Sequence, residues 1–80
     1  MTFTKWLDTF IQEKGIDLEE SFTVEGPSGT NHMQLVHVVA AIQGAPAHEQ
    51  AGIKSMIAKI DFRNGDVRHY FKHLAQAIAA

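Results

Sequence analysis

The sequence contains no cysteine, which excludes a disulfide framework and any thiolate metal site and suits a reducing compartment. Packing alone must hold the fold. No window approaches the ~20 consecutive apolar residues of a membrane span. The opening stretch MTFTKWLDTFIQEK also lacks the basic region and unbroken apolar run of a secretory signal. The expectation is a soluble, cytoplasmic chain that does not engage membrane. Proline and glycine are sparse, at two and six residues, and internal repeats, low-complexity tracts and linkers are lacking. Charged residues make up only 20% against 45% hydrophobic, a balance that disfavours disorder. With 80 residues in all, a second domain would leave both halves too small to bury a core. Residues 1–80 are therefore expected to form a single small helical domain.

The net charge of -2 argues against bulk attraction to nucleic acid, yet it is unevenly placed. The first forty residues carry Lys5 and Lys14 against Asp8, Glu13, Asp17, Glu19, Glu20 and Glu25. The last forty carry Lys54, Lys59, Arg63, Arg68 and Lys72 against Glu49, Asp61 and Asp66. The C-terminal half is therefore mildly basic.

Apolar spacing supplies the elements. Phe3, Trp6, Leu7, Phe10 and Ile11 recur on one helical face, with Thr2 or Thr4 to cap the start and Gly15 to end it. A second helix is expected from an Asn31 cap, with Leu35, Val38, Val39 and Ile42 as its stripe and Gly44 as its stop. A third helix follows Pro46 and buries Ile53, Met56, Ile57 and Ile60. The short connection at Gly44 predicts that these two helices pack side by side as an antiparallel hairpin. Asn64-Gly65 is a turn, and Asp66 can cap a last helix that buries Val67, Tyr70, Phe71, Leu74 and Ile78.

Residues 16–30 fit no helix as well. Phe22-Thr23-Val24 has strand character and Gly26-Pro27-Ser28-Gly29 reads as a loop. A strand here needs a partner for its backbone groups: a short stretch such as Ile60-Asp61-Phe62, or a second copy of the chain. The predicted fold is mainly α, a compact bundle of about four helices with an irregular or short β segment after the first helix.

No constellation of residues is complete for catalysis. His69 and His73 share one helical face at a spacing that can chelate a metal, but two further ligands are missing. His48-Glu49 begins the zinc-protease pattern, and Gly52 stands where its second histidine belongs. Ser21, Ser28 and Ser55 lie in no nucleophile elbow, and Thr30-Asn31 replaces the Lys-Ser/Thr of a phosphate loop. The expectation is a chain without catalytic activity, metal or cofactor.

Two binding features stand out. Arg68, His69, Lys72 and His73, joined by Arg63, form a basic face suited to phosphates or to an acidic protein partner. Phe22, Val24 and Phe62 lie outside the clear helical stripes and are candidates for a protein interface. The segment Ile60-Asp61-Phe62-Arg63-Asn64-Gly65-Asp66-Val67, in a compact cysteine-free chain, resembles short uncharacterised proteins of bacterial phages, prophages and plasmids. That resemblance implies a small protein that binds and modulates host macromolecules, and it assigns no site. The leading expectation is a protein-interaction or regulatory module, with a homodimer as one form. The alternative is a small DNA- or RNA-binding regulator that uses the last helix.

Overall fold

The computed structural model describes residues 1–79. The mainly α architecture is as expected, with four helices and one antiparallel hairpin inserted after the first. Helix α1 spans Phe3–Lys14, and Thr2 accepts the Lys5 N–H at 3.2 Å to cap it. Its end is a Schellman closure. Gly15 takes φ 64° and donates to Gln12, while Ile16 donates to Ile11 at 3.1 Å. Leu7, Phe10 and Ile11 enter the core, and Trp6 stacks between Phe3 and Phe10.

Strand β1, Ser21–Gly26, pairs with β2, Gly29–Gln34, in a register running from Ser21 opposite Gln34 to Gly26 opposite Gly29. The partner of the first strand is thus the segment expected to open the second helix. Ile60-Asp61-Phe62 stays in a helix. Only Pro27 and Ser28 connect the strands. Proline cannot adopt the positive φ that favoured two-residue hairpin turns require at their first position. Gly29, at φ 114°, supplies the positive angle one step later. On the inward side, Val24 is buried and Phe22 and Met33 are half-buried. Ser21, Thr23, Glu25, Thr30 and His32 face water.

Helix α2, Leu35–Gln43, therefore starts later than an Asn31 cap would place it. The Gln34 N–H is instead received by His37 Nδ1 at 3.1 Å. Leu35, Val38, Val39 and Ile42 are all buried, which offsets the modest helix propensity of the β-branched residues.

Helix α3, Ala47–Phe62, is the longest element, yet only its Ile57 is fully buried. Ile53 and Ile60 are half-buried and Met56 is turned out, contrary to its expected place in the buried face. The helix also runs through Phe62 before closing with a second Schellman pattern. Asn64, at φ 58°, donates to Asp61, and Gly65 donates to Ile60 at 2.8 Å. Asparagine tolerates the left-handed angle, and the glycine answers a different need. A Cβ at Gly65 would stand 2.9 Å from Ile60 Cγ2.

Helix α4, Val67–Ala79, is capped by Asp66, whose Oδ1 accepts the Arg68 N–H at 2.9 Å. Val67, Phe71 and Ala75 are buried, with Tyr70 and Leu74 half-buried beside them. Ile78 remains 48% exposed. The principal neighbours of α4 are α2 and β1, and α3 leans on α1 and α4. The expected side-by-side hairpin of α2 and α3 is therefore not the packing unit. Extended backbone at Pro46, ψ 152°, redirects the chain between them. Leu7, Leu35, Val38, Ile57 and Phe71 are the largest fully buried side chains, one or two from each helix. Among the described residues no helix is long and apolar enough to cross a membrane.

Candidate functional site

The basic face of α4 separates into two parts. Arg68, Lys72 and Gln76 stand four residues apart, so they project along one line of the helix. All three are turned onto the segment around β1. Arg68 donates to Glu20 Oε1 at 3.1 Å and to Asp66 Oδ2 at 2.9 Å. Lys72 Nζ lies 2.7 Å from Glu20 Oε2 and 5.9 Å above the Phe22 ring. Gln76 closes the row by receiving the Glu25 N–H at 3.1 Å and donating to the Glu25 carbonyl. These contacts bind α4 to the hairpin.

The electrostatics agree with that assignment. The hydrogen bond from Lys72, joined by the charges of Lys72 and Arg68, holds the Glu20 carboxyl below its ordinary range despite some desolvation. The hydrogen bond from Arg68 does the same for Asp66. The Arg68 guanidinium is correspondingly pushed up, chiefly by its bond to Asp66. Tyr70 is raised by burial alone. Two of the five residues proposed for phosphate or acidic-partner contact are thus already engaged by carboxylates of the same chain.

His69 and His73 remain exposed on α4, His69 standing 3.6 Å from Asp66. No group of three or more His, Asp or Glu side chains is arranged to hold a metal among the described residues. A cleft of about 310 Å³ lies between the end of α1 and the turn into α4, bordered by Asp17, Asp61, Asp66, Lys14 and Arg68. Lys14 is paired with Asp61 at 2.9 Å there, so the charges in this cleft largely answer one another.

The proposed interface trio also divides. Val24, at 4% exposure, belongs to the core, because alternation along β1 turns it inward. Phe22 is half-buried beneath Lys72. Phe62 alone is presented to solvent, at 89% exposure.

The structure adds a surface around Phe62 that reading the chain residue by residue missed. Ala51, Ser55, Ala58 and Phe62 fall along one outer stripe of α3 at spacings of four, three and four, and all are exposed. Phe62 borders a shallow depression of about 400 Å³ with Ser55, Ala58, Lys59 and Arg63. Neither Lys59 nor Arg63 has a carboxylate within 4.0 Å among the described residues. The signal was present in the weakly sided apolar pattern of α3, which places alanines and a phenylalanine opposite Ile57. A second depression, also about 400 Å³, lies between α2, α3 and the end of α4, where Ile53, Leu74 and Ile78 meet.

No protein-family model, curated protein or solved structure matches the chain.

Proposed function

We propose that this chain is a non-catalytic protein-binding module that docks an acidic partner on the outer face of α3, with Phe62 as the anchor. The observation that carries this reading is the 89% exposure of Phe62 between two cations, Lys59 and Arg63, that have no carboxylate partner among the described residues. Aromatic and arginine side chains dominate the energetics of protein interfaces. Burying a phenylalanine side chain removes an unfavourable contact with water worth roughly 2 kcal/mol. The flat stripe of Ala51, Ser55 and Ala58 lets a partner's backbone or side chains approach α3 closely, and Lys59 and Arg63 favour carboxylates at the rim. A regulatory role toward a host macromolecule, in line with the resemblance to phage and plasmid proteins, is part of the same proposal.

This reading is preferred to nucleic-acid binding by the last helix because Arg68 and Lys72 already neutralise Glu20 and Asp66. Releasing them for phosphates would leave those carboxylates unpaired. Affinity capture from the native host, comparing the wild-type chain with Phe62→Asp, tests the proposal. A saturable protein partner that is retained by the wild type and lost with the variant is expected, with both chains equally folded by circular dichroism. Equal recovery by both chains would overturn it. Salt-sensitive binding of short duplex DNA, lost on replacing Arg68 and Lys72 by Ala, would establish the alternative instead.

A further inference from the structure

Every two-stranded sheet has two open edges, and the two edges here are treated differently. In an antiparallel pair, alternate residue pairs exchange both backbone hydrogen bonds, while the residues between them point their N–H and C=O groups away from the partner strand. Two contacts establish which residues are which. Leu35 donates to the Glu20 carbonyl at 3.1 Å, so the position just before Ser21–Gln34 is a bonded one. Glu25 has both its N–H and its carbonyl engaged by Gln76, so the Glu25–Thr30 position is an outward-pointing one. It follows that Thr30 and His32 point their backbone groups out of the free edge of β2. Among the described residues, no hydrogen bond to those groups is formed.

At the β1 edge, Gln76 from α4 occupies the outward groups of Glu25. Nothing equivalent covers β2, whose nearest helix is its own continuation, α2. The usual protections are also missing, since the strand Gly-Thr-Asn-His-Met-Gln carries no proline, lysine or carboxylate.

We propose that β2 is a self-association edge, pairing antiparallel with β2 of a second copy about a two-fold axis at Asn31. Self-complementarity selects the second copy. With the axis at Asn31, Thr30 stands opposite His32 of the second copy, and His32 opposite its Thr30. Each pair then exchanges two hydrogen bonds, and all the outward groups of both residues are satisfied. Moving the axis to His32 would oppose Thr30 to Gln34, whose N–H is already bound by His37. With no lysine, arginine or carboxylate in the strand, no permanently like charges meet across the axis. The product is a four-stranded sheet whose outer edges are both β1, each flanked by α4. A single strand edge buries less than the area of a tight dimer, so association is weak and concentration-dependent.

The test is sedimentation equilibrium of the purified chain from about 10 µM to about 1 mM. The wild type is expected to move from monomer to dimer across this range. His32→Pro removes an N–H that has no acceptor within the chain, so it should weaken association by about tenfold or more with an unchanged circular dichroism spectrum. Because the chain has no cysteine, a single introduced thiol gives a second readout that does not depend on proline being tolerated. Asn31→Cys places two thiols at the axis in a close-approach pair, and mild oxidation should link the copies. Thr4→Cys, exposed on α1, should link far more slowly. A wild-type chain that stays monomeric throughout, dimerisation indifferent to His32→Pro, or equal cross-linking by both thiols would overturn the proposal. Phe62→Asp should leave self-association intact, which separates the failure of this proposal from failure of the α3 docking face.

Discussion

Helices α3 and α4 have opposite relations between pattern and packing. Helix α4 has a cleanly divided wheel, and both sides of it are used: Val67, Phe71 and Ala75 enter the core while Arg68, Lys72 and Gln76 fasten the hairpin. Helix α3 is longer, buries only Ile57 completely, and leaves Met56 and Phe62 exposed. A charged helical face is thus not necessarily free for a ligand, nor is an apolar residue on a helix necessarily core. What decides both is whether another part of the same chain reaches that face.

The largest expected contrast is in stability. Phe71→Ala empties a fully buried site and should cost about 3 to 5 kcal/mol, whereas Met56→Ala on the outer flank of α3 should stay within about 1 kcal/mol. Urea denaturation of both variants measures the difference, and similar losses would break the distinction between the two helices.

Next in size is a separation of binding from folding at Phe62. Phe62→Ala should change stability by no more than about 0.5 kcal/mol while weakening capture of the partner by about thirtyfold, the loss typical of an anchor residue. A large drop in melting temperature with unaltered capture would return Phe62 to a structural role.

A smaller effect is expected at the seam between α4 and β1. Gln76→Ala removes both hydrogen bonds to the Glu25 backbone and should cost about 1 kcal/mol, with amide exchange at Glu25 accelerated. Unchanged protection there would show that α4 holds β1 through apolar contacts alone.

The least effect is a pH dependence confined to the same seam. The Glu20 and Asp66 carboxyls are lowered in the folded chain, so their contribution is present above the ordinary carboxylate range and is lost as pH falls through their lowered values. Thermal melts between neutral pH and about pH 3 should therefore show an acid-side decline that is shallower in Glu20→Gln. Both groups keep contact with solvent, Glu20 half-buried and Asp66 exposed, so screening keeps the effect modest. An identical decline in the variant would remove Glu20 from the seam.

Much of this architecture was legible residue by residue. The Thr2 cap, the Gly15 stop, the α2 stripe and the Asp66 cap are local devices in which the chemistry of one or two side chains satisfies nearby backbone groups. Asn31 misled because asparagine favours helix caps and is depleted in strands, and only pairing with Val24 puts it in one. The site was less legible than the fold. Val24 and Phe62 look equivalent as isolated apolar residues outside the clear stripes, yet one is 4% exposed and the other 89%. Likewise Arg68 meets Glu20 across 48 positions of sequence, a separation that no periodicity reveals.

The sequence by itself determined four helices, the caps of α1 and α4, a break after α1 and the apolar stripes of a shared core, because spacing, propensity and capping act over a few residues. Only the tertiary structure decided that α4's cations face carboxylates, that α3's outer stripe stays bare and that β2 keeps an open edge. Those outcomes depend on which distant surfaces meet, and burial and ion pairing take their sign from the neighbour that arrives.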